Sequence, residues 1–237
     1  MARRLLLVST STTHGTGYLD HCADQIQDLL DGRRRVLFVP YALYDQDAYA
    51  AKARERFGRM GCELTSVHEV ADPVAAVRAT EALFIGGGNT FRLLAKLYEQ
   101  GLVDPIRERA AAGMPYVGTS AGSNVACVTI RTTNDMPIVQ PPSFDALNLV
   151  PFNLNPHYLD PDPGSTHMGE TREERLRQFL EENDKIVVGL REGAMLRIDG
   201  PSVRLLGSPG ARIFRRGHAP QEARPGDPLD FILTGAV

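Results

Sequence analysis

The run Gly118-Thr-Ser-Ala-Gly122 sets one serine between two glycines, where the apolar stretch Met114-Pro-Tyr-Val117 gives way to small and apolar residues at helical spacing. The spacing predicts a strand, a tight turn and a helix, with the Ser120 hydroxyl held above the carboxyl edge of a sheet. Such a hydroxyl is a candidate nucleophile; the alternative is an ordinary turn serine that caps the helix. A serine needs a base, and near neutral pH that is best supplied by histidine. Of the six histidines, His14 falls in the first β-α loop, His21 in the first helix, His68 after a weak strand, His218 in a polar turn, and His157 and His167 in an irregular region. His157 closes Phe152-Asn-Leu-Asn-Pro-His157, a short apolar segment that would deliver its ring to the same sheet edge as Ser120, which makes it the preferred base. A carboxylate must then hold the imidazole tautomer. Asp135, in Arg131-Thr-Thr-Asn-Asp-Met136, and Glu192, in Gly189-Leu-Arg-Glu-Gly193, are the two candidates. Donors for a tetrahedral oxyanion are offered by Gly86-Gly-Gly-Asn-Thr90, after the apolar run Ala82-Leu-Phe-Ile85, and by the Ala121 amide next to the serine. The glycine-rich turn could instead cradle a phosphate, but it lacks both the G-x-G-x-x-G spacing and the Lys-Ser/Thr of a P-loop.

These residues must be positioned by repeated β-α units. Apolar runs at Leu5 to Ser9, Val36 to Pro40, Leu64 to Val67, Ala82 to Ile85 and Tyr116 to Thr119 read as strands. Helical spacing covers Tyr18 to Leu30, Gln46 to Met60, Thr90 to Gln100 and Val103 to Ala112, with a short helix after Asp72-Pro73. Near-continuous apolar strands separated by helices imply a parallel sheet covered on both faces, with ligands gathering beyond the carboxyl ends of its strands. Residues 129 to 170 break this rhythm and are rich in Pro, Asn, Asp and Thr; an irregular stretch of that length is usually functional or disordered, and its Phe144, Leu147, Leu149 and Phe152 favour packed loops. A helix over Thr171 to Glu182 and a strand over Ile186 to Leu190 follow. Short antiparallel strands are expected near Met195 to Ile198, Val203 to Leu206 and Phe231 to Leu233.

The 237 residues suit a single domain over 1–237. A hydrophobic fraction of 43% and charged fraction of 23% describe an ordinary globular chain, and a net charge of −3 argues against a phosphate-binding surface. The cations, three lysines and 23 arginines, are interspersed with acids, as in Arg172-Glu-Glu-Arg175, so neither nucleic acid nor a membrane is an expected partner. The apolar run at the amino end is too short for a secretory segment, and three widely spaced cysteines, Cys22, Cys62 and Cys127, suggest neither a disulfide framework nor a zinc site. A cytoplasmic location is the expectation.

Taken together, Gly86-Gly-Gly-Asn-Thr-Phe91, Ser120-Ala-Gly122, Ile130-Arg-Thr-Thr-Asn-Asp-Met-Pro-Ile138, Phe144-Asp-Ala-Leu-Asn-Leu149, Asn155-Pro-His157 and Gly169-Glu-Thr-Arg172 resemble the peptidase E family of serine aspartyl dipeptidases. The resemblance implies a three-layer α/β/α sandwich with a mostly parallel sheet, like that of class I glutamine amidotransferase domains, and no metal or organic cofactor. It implies hydrolysis of dipeptides with amino-terminal aspartate through an acyl-enzyme on Ser120, with His157 as base, Asp135 or Glu192 as relay acid, and Gly88 and Ala121 as oxyanion donors. Arg172 is the first choice to grip the substrate's β-carboxylate, Arg131 the second, and Glu170 would receive the α-ammonium. The expected partner is the small Asp-X peptide, with the chain a monomer or weak homodimer. Thr119 stands where the family pattern leads one to expect a bulkier residue, and the tail from Ser208 matches least well. Three other readings compete: an α/β-hydrolase esterase using His218 and Asp199, a cyanophycinase-like β-aspartyl peptidase, and a non-enzymatic binder of a phosphorylated ligand with Ser120 as a helix cap.

Overall fold

In the computed structural model, which describes residues 3–164, 166 and 168–234, two sheets carry the architecture. The first has seven strands in the order β3-β2-β4-β5-β1-β8-β9. Its parallel part comprises β1 (Arg4–Val8), β2 (Arg35–Val39), β3 (Glu63–Ser66), β4 (Ala82–Ile85) and β5 (Tyr116–Thr119). β8 (Met195–Asp199) and β9 (Ser202–Leu206) extend it antiparallel, as expected of the tail. Strand alternation divides the core. Leu6, Val8, Phe38 and Phe84 face α1 (Ala23–Leu30) and α2 (Gln46–Arg59), whereas Leu5, Leu7, Leu83 and Ile85 face α3 (Pro73–Ala79), α4 (Thr90–Glu99) and α5 (Val103–Ala111). All eight of these strand side chains are fully buried, each contributing roughly 1.5–3 kcal/mol of transfer free energy. The helices start where side chains replace missing backbone acceptors: Asp45 caps α2, Asp72 precedes Pro73 at the head of α3, and Asn89 caps α4.

The strand over Ile186 to Leu190 does not join this sheet. The long connection after α6 (Ala121–Asn124) carries the chain outward, and β6 (Asn153–Pro156), β7 (Val187–Leu190), β10 (Ala211–Phe214) and β11 (Gln221–Ala223) form a second sheet, in which β6 and β7 are parallel. One face of it, with Leu154, Val188 and Ile213, closes onto the main core. The other, with Val187 and Phe214, packs on Leu176 and Leu180 of α7 (Arg172–Glu182). Thr171 and Glu174 form a reciprocal capping box that fixes the start of α7. The segment Phe231 to Leu233, expected as a strand, lies instead in a short 3₁₀ helix over Asp230–Leu233 that buries Ile232; a pattern of three apolar residues does not distinguish the two. Among the described residues no helix is long and apolar enough to cross a membrane, and the three cysteines are free.

Candidate active site

The glycines around Ser120 are required by close backbone crossings. A Cβ on Gly118 would lie 2.5 Å from the Gly122 carbonyl oxygen, and one on Gly122 would lie 2.1 Å from that of Ile85. The chain therefore turns within a space that admits no side chains at either position. Ser120 itself has φ 51° and ψ −111°, a conformation that costs a non-glycine residue about 1–3 kcal/mol. Neighbouring bonds hold it: its N–H donates to the Val8 carbonyl at 2.9 Å, its carbonyl accepts from the amides of Ser123 and Asn124 at 2.9 Å, and the Ser123 hydroxyl lies 2.8 Å from the carbonyls of Val8 and Gly118. The Ser120 hydroxyl makes no capping bond to α6. It lies 2.9 Å from His157 Nε2.

His157 follows the last residue of β6, and Pro156 is in register with Leu190 of β7. Parallel neighbours that end at one level bring the residues just beyond them together, and His157 Nδ1 meets Glu192 Oε1 at 2.6 Å. The proton between them fixes the tautomer, leaving the Nε2 lone pair for the serine hydroxyl. His157 also has positive φ, at 54°, and its N–H donates to the Ser9 hydroxyl at 2.9 Å, which in turn donates to the Leu190 carbonyl at 2.7 Å. Glu192 sits in a turn closed by Ala194 N–H on the Arg191 carbonyl, and Arg191 is clamped by Asp160 and Glu222. The pair is at the rim: 37% of the His157 side chain and 53% of that of Glu192 are exposed.

Asp135 does not touch the imidazole. Its Oδ2 accepts from the Thr90 amide at 2.7 Å and the Thr90 hydroxyl at 2.5 Å, tying the irregular loop to the head of α4. Asn89 reaches the Met136 carbonyl, Asn134 the Pro156 carbonyl, and Asn155 both Thr132 and Asn134. The Asn/Asp/Thr richness of this segment is thus a web of side chains substituting for regular backbone pairing, and it locks the glycine-rich turn to the strand bearing His157. Among the described residues Asp135 Oδ1 accepts no hydrogen bond, and the carboxylate lines a cleft of about 780 Å³ together with Ser120, His157, Gly87 and Gly88. A smaller cavity of about 310 Å³ at the opposite sheet edge, lined by Arg3, Leu5, Arg107 and Leu149, contains no nucleophile.

In the glycine-rich turn, Gly88 has φ 134°, and a Cβ there would strike the Ala42 carbonyl at 2.6 Å. A Cβ on Gly87 would lie 3.7 Å from the Ser120 hydroxyl oxygen. Among the described residues neither the Gly88 nor the Ala121 amide has an acceptor. Arg172, at the first position of α7, is half-buried and has no ion-pair partner among the described residues. Burial and the nearby Arg175 lower its pKa, while the Asp135 carboxylate raises it, so Arg172 and Asp135 lie within electrostatic reach. Arg131 is exposed with its guanidinium 5.4 Å from the Phe144 ring, and Glu170 is paired with Arg175 and Gln178. None of Arg131, Glu170 and Arg172 lines the cleft itself; Arg172 differs in lying within electrostatic reach of Asp135, which does. His68 is bonded to Ser66 and Asp47, His218 sits in the turn between β10 and β11, and Asp199 is paired with Arg197 and Arg204. His167 lies outside the described residues. Thr119 is fully buried.

Asp47, His68 and Glu69 bring three possible metal ligands together at the surface, but both Glu69 oxygens accept from Arg54, at 2.9 and 2.6 Å, and none of the three lines the cleft. Sequence reasoning overlooked the wall of the cleft formed by Tyr18, Tyr49 and Lys52. For Tyr49 a topological signal was available: it lies in the first turn of α2, and the first turns of helices that follow parallel strands stand at the carboxyl edge.

A hydroxyl, an imidazole and a carboxylate linked in that order, beside unpaired amides, can carry out acyl transfer by a nucleophilic serine. A model of peptidase family S51 matches residues 5–206, ending just before the tail that follows β9. The chain is 55% identical over 229 residues to Peptidase E of Streptomyces coelicolor, covering 97% of this chain and 94% of that protein. It is 50% identical over 235 residues to the Probable alpha-aspartyl dipeptidase of Drosophila melanogaster, covering 98% of each. Two solved structures share the fold: a peptidase from an acI-B1 actinobacterium, with TM-score 0.73 and 19% identity over 97% of each chain, and a putative Peptidase E protein from Listeria monocytogenes EGD-e, with TM-score 0.63 and 22% identity over 86% of this chain and 98% of that one. The chain belongs to peptidase family S51. It is a serine-type peptidase.

Proposed function

We propose that the protein is a dipeptidase for substrates with amino-terminal aspartate, with Ser120 as nucleophile, His157 as base and Glu192 as the acid that orients and stabilises the imidazolium. The observation that carries this reading is the continuous bonding from Ser120 Oγ to His157 Nε2 at 2.9 Å and from His157 Nδ1 to Glu192 at 2.6 Å, at the mouth of the cleft. The aspartyl specificity is supported by the names of the two relatives and by the opposite charges of Asp135, which lines the cleft with Ser120, and Arg172, within electrostatic reach of Asp135. An amino-terminal aspartate presents a β-carboxylate and an α-ammonium. The unpaired Arg172 guanidinium suits the first, with two parallel hydrogen bonds, and Asp135 Oδ1 suits the second in place of Glu170. Ser120 attacks the peptide carbonyl as His157 takes its proton, and the Ala121 and Gly88 amides receive the oxyanion. His157 then protonates the departing amine and activates the water that releases aspartate. Free thiols, two of them buried, suit the reducing cytoplasm, which is the proposed location.

The test is a dipeptide panel with free and acetylated amino termini, chelator present throughout, on the parent and on Arg172→Ala. The parent should cleave only free Asp-X, and the variant should lose at least about a hundredfold in kcat/KM on Asp-Leu. Parental rates for Arg172→Ala on Asp-Leu would remove Arg172 from the specificity site.

A further inference from the structure

The cleft that contains Ser120 has a wall made by one face of α2. Asp45, Ala48, Tyr49 and Lys52 recur at spacings of three and four residues, so they stack along that face and all four line the cavity. Their charges are not equivalent. Asp45 is used by the helix, its Oδ1 accepting from the Ala48 amide at 2.9 Å. Lys52 is unpaired: among the described residues no carboxylate lies within 4 Å of its ammonium, which instead sits 4.5 Å from the centroid of the Tyr18 ring. The Tyr18 hydroxyl is 3.4 Å from that of Tyr49, and Tyr49 packs so closely on the glycine-rich turn that a Cβ on Gly86 would fall 2.3 Å from its hydroxyl oxygen. Lys52 is thereby linked through two tyrosines to the turn that touches Ser120.

From this arrangement we infer that Lys52 receives the free carboxylate at the carboxyl end of the substrate, and so makes the enzyme select dipeptides by length. The inference rests on the dipeptidase reading above. In a dipeptide the terminal carboxylate carbon lies only about 4 Å beyond the scissile carbonyl carbon, and each added residue moves it about 3.5 Å further. A cation anchored on the α2 wall of the same cleft, its reach bounded by the length of its stem, therefore rewards one chain length. Lysine suits the task because its ammonium is a point charge on a flexible stem, able to follow a carboxylate whose position shifts with the neighbouring side chain. The Tyr18 ring parks that ammonium without neutralising it, so no ion pair has to break when substrate enters. The surrounding Tyr18, Tyr44 and Tyr49 give the variable residue an apolar but undemanding wall.

The experiment compares Asp-Leu with its carboxyl-terminal amide on the parent, Lys52→Met and Lys52→Arg. On Lys52→Met, KM for Asp-Leu is expected to rise at least about tenfold with kcat within about twofold, while Asp-Leu amide is cleaved with parental kinetics. Lys52→Arg should recover most of the loss. Equal losses on both substrates, or no loss on either, would overturn the inference while leaving the dipeptidase reading intact. A parent that cleaves neither compound would overturn that reading, and the inference with it.

Discussion

Replacing Glu192 with glutamine removes one negative charge from the imidazole and keeps an oxygen that can accept its Nδ1 proton. The bond is short, 2.6 Å, so the charge centres of a His157 imidazolium and Glu192 stand about 4 Å apart. At that separation the attraction is about 4 kcal/mol for a pair near a protein surface and about 1 kcal/mol in bulk water. The side chains are 37% and 53% exposed, which puts the contribution between these limits, at about 2 kcal/mol. In the proposed mechanism the imidazolium forms only as Ser120 is deprotonated, so the loss falls on the transition state. Glu192→Gln should lower kcat on Asp-Leu about thirtyfold with little change in KM. That is far less than the roughly 10⁴-fold cost of the equivalent change at a buried triad aspartate. Initial rates from release of free leucine measure it. A kcat within twofold of the parent would mean that Glu192 is not the relay acid. A fall beyond about 10³ would refute the solvent-screened magnitude.

Two further outcomes follow from the backbone at the serine. Because Ser120 holds φ 51° and ψ −111°, Ser120→Gly should relieve local strain that Ser120→Ala retains. After the entropic cost of glycine, the Gly variant should be more stable than the Ala variant by about 1 kcal/mol in urea denaturation, with both inactive. Gly122→Ala should destabilise the protein by about 1–3 kcal/mol or more and abolish turnover, since its Cβ would meet the Ile85 carbonyl at 2.1 Å; parental stability and rate would refute the close-crossing account.

The sequence alone determined whatever depends on local rules. The Gly-x-Ser-x-Gly turn, the alternation of apolar strands with capped helices, and the antiparallel pair β8 and β9 each follow from short-range sterics and periodicity, and each was legible without coordinates. His157 could be ranked above the other histidines because it ends an apolar strand. Choosing between Asp135 and Glu192 was beyond such rules: both acids follow motifs of similar character, and the contact that supports the proposal of Glu192, 2.6 Å from His157, rests on the parallel pairing of β6 with β7, two strands about thirty residues apart that pack on α7 and the main core. Asp135 is placed by another long-range contact, its bonds to Thr90 at the head of α4. Lys52 was invisible for a related reason. An exposed lysine on an amphipathic helix carries no local mark of function, and only the assembly of α2 against the glycine-rich turn brings its charge to the cleft where Ser120 waits.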